Sequence, residues 1–228
     1  MTTLAKPDNL ATEASDGETR FCIPGVSYHV YETWARALPE STPIRMAYDG
    51  RSMELMVKGR KHDNYGELLG EIVRVITQEL DIPISSSGET TWIRPEIERG
   101  LEADRSYYFL PEKLAMAKAA KARGSNDVVD YPNPDLAIEV DISPPRVDRP
   151  GIYAKLQVTE VWRFDGQTLI IERLGEDGRY HPVDASGFLK IRADDVRRWL
   201  IDEDSSDETA WARRLRTWVR TNLLPSSE

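Results

Sequence analysis

The stretch Asp135-Leu-Ala-Ile-Glu-Val-Asp141 constrains the fold more than any other. Leu136, Ile138, Val140 and Ile142 occupy one set of alternate positions, and Asp135, Ala137, Glu139 and Asp141 the other. Side chains alternate across a strand, so a strand here carries one aliphatic face and one acidic face. The aliphatic face requires a core on its side of a sheet. The acidic face is expected in water or lining a cleft, because burying unpaired charge is costly. Two readings stay open for it: the acids are the solvated positions of a half-exposed strand, or they share a cation. The second gains weight because acids are poor strand formers and crowded carboxylates repel one another. Mg²⁺ suits such a place, since it takes oxygen ligands from one or two carboxylates and leaves room for water and phosphate.

The neighbouring pattern predicts mixed α/β (α+β) structure with one central mixed sheet flanked by helices. Residues 27–38 have the apolar spacing of a short helix. Asp49-Gly50 and Asp165-Gly166 each turn a hairpin, over residues 43–57 and 160–174. Tyr65, Leu68, Leu69, Ile72, Val73, Ile76 and Leu80 follow helical spacing and give the clearest helix, from His62 to Leu80. Residues 89–93 and 103–110 read as strands. Residues 111–130 read as a short Ala/Lys helix at the surface, stopped near Gly124, and residues 147–158 as another short helix. Two more helices follow, about Ala193 to Leu200 and Glu208 to Asn222, the latter with Trp211, Leu215 and Trp218 on one face. Residues 1–20 are polar and aperiodic and are expected to form a flexible tail.

Forty per cent hydrophobic and 30% charged residues fit a globular chain. The apolar runs are shorter than the roughly 20 residues of a membrane span, and neither an anchor nor a signal peptide is expected. One cysteine, Cys22, leaves no intramolecular disulfide and no cysteine-rich zinc site, which suits a reducing, cytoplasmic setting. A net charge of -9 argues against binding nucleic acid through a broadly basic surface, yet allows a local groove or a metal-neutralised site.

"PDLAIEVDIS", followed by "DRPGIYAKLQVTEVWRFDG", resembles the Uma-two family of restriction endonuclease-like proteins, which carry PDL-hydrophobic-E-V, then a D-K-x-x-x-Y helix. "GRSMELM" with His62 after it, and "GLEADRSYYF", match further landmarks of that family, so the resemblance runs from about Ser27 to Phe188. The family is similar to the PD-(D/E)XK nucleases. That implies a restriction-endonuclease-like domain over residues 21–190, with residues 191–228 as a helical extension packed on it. It also implies hydrolysis of DNA phosphodiesters with Mg²⁺ or Mn²⁺, by a possible homodimer.

Carried over, the resemblance makes Asp104 and Glu139 the catalytic metal ligands and Asp135 a supporting acid that orients the site. Asp141, Glu54 and His62 are further supporting candidates; a cap at the start of the long helix is the plainer reading of His62, and an edge-strand acid that of Glu54. Arg149 stands where the family has lysine. It can stabilise charge on a phosphate but stays protonated and cannot act as a base. Ala103 replaces the family's proline before the first acid. Glu96 is a rival first acid, and Lys155, six residues past Arg149, shares no helical face with it. Tyr153 and Trp162 are expected to pack the helix on the hairpin. The alternatives are a nuclease fold that binds nucleic acid or a protein partner without cutting it, and an unrelated subunit whose acids pair across an interface.

Overall fold

Turn and helix signals set most of the elements. A computed structural model describes residues 13–15, 18–39 and 42–224. In chain order the elements are β1 (Glu13–Ser15), β2 (Glu18–Pro24), α1 (Tyr28–Ala37), β3 (Ile44–Tyr48), β4 (Ser52–Val57), α2 (Arg60–Glu79), β5 (Ser85–Ser86) and β6 (Thr91–Arg94). Then come β7 (Arg99–Glu102), β8 (Arg105–Tyr108), α3 (Pro111–Ala122), β9 (Leu136–Val140), α4 (Arg149–Lys155), β10 (Glu160–Phe164), β11 (Leu169–Leu174), β12 (Tyr180–Val183), α5 (Ala193–Ile201) and α6 (Glu208–Asn222). The class is α+β, with a restriction-endonuclease-like arrangement of sheet and flanking helices.

Two sheets replace the one expected. The first, in order β1-β2-β4-β3-β7-β6, is antiparallel; the second, β12-β11-β10-β9-β8-β5, is mixed, with β9 and β10 running parallel. The strand expected within residues 103–110 is β8, and β7 before it is an addition to the reading: the chain leaves the first sheet at the end of β7 and enters the second at β8, so Ala103 and Asp104 form the crossover between sheets.

β9 is central, hydrogen bonded to β10 on one side and β8 on the other. Its aliphatic face, Leu136, Ile138 and Val140, packs with Leu69, Ile72 and Ile76 of α2 and with Trp199, Trp211 and Leu215 of α5 and α6. α3 is less superficial than expected, since Ala117 and Ala120 are buried and Ala117 joins a second cluster with Trp92 and Tyr108. Of the expected tail, residues 1–12 and 16–17 lie outside the described residues. Residues 13–15 and 18–20 are strand, and Glu18 and Arg20 are buried. Among the described residues no helix is long and apolar enough to cross a membrane.

Candidate active site

The acidic face of β9 does not meet water. Glu139 and Asp135 are wholly buried and Asp141 nearly so, because the first sheet and α4 cover that side. Solvation gives way to ion pairing as the means of holding the charges, and the partners come from distant parts of the chain.

Asp104 lies in the crossover just before β8 and Glu139 on β9, the antiparallel neighbour in which Ile138 pairs with Arg105. Asp104 Oδ2 accepts a 2.7 Å hydrogen bond from the Val140 amide, which fixes it beside Glu139. His62 Nε2 lies 3.2 Å from the same oxygen, and Arg45 Nε lies 3.5 Å from Asp104 Oδ1. Burial raises the Asp104 carboxyl, but His62, Arg45 and the Val140 amide outweigh it and hold the group well below the usual carboxylate range. His62 does not cap the helix: α2 starts at Arg60, Gly59 occupies the cap, and the imidazole is buried against Asp104.

Glu139 is gripped by one short helix. Pro150 sits in the first turn of α4 and Asp148 Oδ1 accepts from the Gly151 amide at 3.0 Å, so α4 starts sharply. Arg149 and Tyr153 are four residues apart and share a face. Arg149 Nη1 donates to Glu139 Oε2 at 2.5 Å and the Tyr153 hydroxyl donates to Oε1. Tyr153 therefore does more than pack. Burial pushes the Glu139 carboxyl up to about 8, with Arg149 opposing and Asp104 and Asp141 adding to the rise. Burial also lifts the Tyr153 hydroxyl, and Glu139 lifts it further, so it remains a donor. Arg149 loses some basicity to burial and regains more from Glu139, Asp141 and Glu54.

Arg20 is the residue the sequence reading missed. Its Nη1 donates to Glu54 Oε1 at 2.9 Å, and its Nη2 reaches Asp141 Oδ1 at 2.9 Å and Glu18 Oε2 at 3.1 Å. Arg149 Nη2 shares Glu54 Oε1 at 3.0 Å, so Glu54 bridges the two guanidiniums. Glu54 is buried on β4, an inner strand, which rules out the edge-strand reading. Glu18 in turn accepts from the amides of Ile142 and Ser143, at 3.1 and 3.0 Å, and holds the segment after β9. The one advance signal was the alternation at Glu18, Arg20 and Cys22, which the tail reading cut in two.

Asp135 shares the face of Glu139 but not its place. Its Oδ2 accepts from the amides of Phe109 and Leu110, at 2.7 and 2.9 Å, and its Oδ1 pairs with Lys113 at 2.8 Å. It anchors the start of α3, two side-chain positions down the strand, and plays no part in the cluster. Glu96 and Lys155 are exposed elsewhere, so neither rivals Asp104 nor replaces Arg149.

Among the described contacts, five carboxyl groups, of Glu18, Glu54, Asp104, Glu139 and Asp141, thus meet three guanidiniums, of Arg20, Arg45 and Arg149, and the His62 imidazole. So many buried carboxyl oxygens are the donors that a hard divalent cation takes. Asp104 Oδ1 is buried and makes no hydrogen bond, with Arg45 Nε 3.5 Å away as its ion-pair partner. Among the described residues no three His, Cys, Asp or Glu side chains converge on one point, so a metal here would rest on two carboxylates and complete its shell with water or phosphate. Access runs through a cavity of about 310 Å³ lined by His62 and Asp104 at its floor and by Lys58, Glu89 and Arg105 at its rim.

A family model described as putative restriction endonuclease, Uma2, matches residues 31–196. Comparison with curated proteins finds no match. Glu54, His62, Asp104, Glu139, Asp141 and Arg149 all fall inside the matched region, whereas Glu18 and Arg20 precede it.

Proposed function

Because this chain belongs to the Uma2 family, we propose that it is a divalent-metal-dependent endonuclease that hydrolyses phosphodiester bonds of DNA. Asp104 and Glu139 would hold Mg²⁺ or Mn²⁺. The observation that carries the reading is the group of buried carboxyls where Asp104, just before β8, meets Glu139 on β9. The ion, when bound, polarises the phosphoryl group and lowers the pKa of a coordinated water. The chain's own residues prepare that event. His62, Arg45 and the Val140 amide fix and ionise Asp104. Tyr153 and Arg149 fix Glu139. Arg149 keeps its proton and serves to stabilise negative charge on the phosphate, not as a base.

The test is purified protein with supercoiled plasmid and Mg²⁺. Linear or nicked product is expected from the parent, with a loss of a hundredfold or more in Asp104→Ala and Glu139→Ala, about the scale of removing a group that stabilises transition-state charge. Equal cleavage in either variant would remove the assignment.

One observation favours a second reading. Both oxygens of Glu139 already accept hydrogen bonds from Arg149 and Tyr153, and among the described residues no lysine stands in the cluster. On that reading the fold binds nucleic acid or a protein partner without cutting, and plasmid stays intact at every metal concentration.

A further inference from the structure

Three cations meet on one exposed carboxylate at the mouth of the Asp104 cavity. Glu89 Oε2 lies 2.6 Å from Arg45 Nη2, and Glu89 Oε1 lies 3.0 Å from Lys58 Nζ and 2.9 Å from Arg105 Nη1. The arginine and lysine side chains are 3, 17 and 14% exposed for Arg45, Lys58 and Arg105, against 43% for Glu89. The cations are thus built into the wall; Arg45 also pairs with Glu102 at 2.8 Å, Lys58 with Asp63 at 3.2 Å and Arg105 with Glu67, and Glu89 is the one carboxylate among the described residues that joins all three. They come from separate elements: β3, the turn before α2, and β8. Glu89 belongs to the link between β5 and β6, next to Gly88, whose φ of +60° and open surroundings leave the turn lightly packed.

We infer that Arg45, Lys58 and Arg105 form a seat for a backbone phosphate of the nucleic-acid strand, and that Glu89 occupies it as a displaceable stand-in. A phosphodiester carries one negative charge, as the carboxylate does, so exchange leaves the electrostatic balance of the wall unchanged. Its oxygens suit the arginine forks at least as well. Arg45 also fixes the seat's position relative to the chemistry, because the guanidinium that holds Glu89 lies 3.5 Å from Asp104. A phosphate there sits one arginine away from the acid assigned to the metal. The arrangement also explains how a chain of net charge -9 can present a phosphate site without a basic surface: Glu102, Asp63 and Glu67 stay on the cations, and a strand displaces Glu89 alone. Burial raises the Glu89 carboxyl, and Arg45, Lys58 and Arg105 more than offset that, so it competes as an anion.

The inference rests on the nuclease reading for the identity of the strand, and its test avoids cleavage. A short fluorescent DNA duplex is titrated in EDTA and binding is read by anisotropy. Glu89→Gln should bind about tenfold tighter than the parent, the scale set by removing a few partly exposed ion pairs. Adding Lys58→Ala or Arg105→Ala to Glu89→Gln should abolish the gain. Glu176→Gln, the same charge change at a remote exposed position, should leave binding unchanged, and melting temperatures check that each variant folds. No gain in Glu89→Gln, or an equal gain in Glu176→Gln, overturns the seat. Inorganic phosphate that binds Glu89→Gln more tightly than the duplex assigns the seat to the free anion and overturns the strand assignment. If Glu89→Gln gains affinity while the plasmid is never cut in Mg²⁺, the seat stands and the nuclease reading falls. If the plasmid is cut and Glu89→Gln gains nothing, the seat alone falls.

Discussion

Glu139 shows how a single residue is tuned by its surroundings. Its carboxyl is raised from an ordinary 4.5 to about 8 by burial, against the pull of Arg149. Between those two values the folded chain holds a proton that the unfolded chain has released. This group's contribution to stability therefore falls as pH rises through that window. Glu139→Gln cannot titrate, so its urea midpoint should decline less between pH 5 and 8 than that of the parent; equal slopes would show that Glu139 is ionised across the range. The alternation that places Glu139 opposite the aliphatic core was legible in seven residues of sequence. Its buried state was not, because burial depends on counterions that arrive from far along the chain: Arg149 ten residues away, and Arg20 placed 121 residues from Asp141. Asp135 shows the opposite limit. Period-two spacing placed it on the correct face, but sharing a face over four residues is not sharing a site.

At the scale of elements, β2 and α4 act as the two jaws of the charge cluster. α4 was legible because proline after an aspartate cap and an i, i+4 pair are local signals. β2 was not, because its polar residues resemble a tail until the strand they join is known. Removing its arginine leaves Glu18, Glu54 and Asp141 short of a buried partner. Such a loss costs roughly 3 to 5 kcal/mol. Arg20→Ala should therefore lower the melting temperature by about 10 °C, whereas a drop near zero would mean that solvent or Arg149 takes over. β2 lies before the residues that the family model matches. The helix and hairpin elements were legible almost residue by residue, and β7 with the change of sheet after it was not. Neither β7 nor β8 alternates in burial, so no period-two pattern marks the crossover at Ala103-Asp104.

For the whole molecule, two sheets meet along a seam that is charged where most protein interiors are apolar. α2, α5 and α6 bury the other face of the mixed sheet and supply the apolar core. The seam gathers acids from both sheets and counterions from the first sheet and α4, and cavities reach it past His62 and Asp104 and beside Asp141. The composition pointed to a globular chain without a basic face, and the fold reconciles that with a nuclease family by keeping its cations inside and paired. The gathering of buried carboxyls in the seam as metal donors is the central claim, and a metal titration tests it most directly. Isothermal calorimetry with Mn²⁺ should give saturable binding to the parent that disappears in Asp104→Ala and in Glu139→Gln. Absence of binding to the parent, or binding that survives both substitutions, would contradict the account.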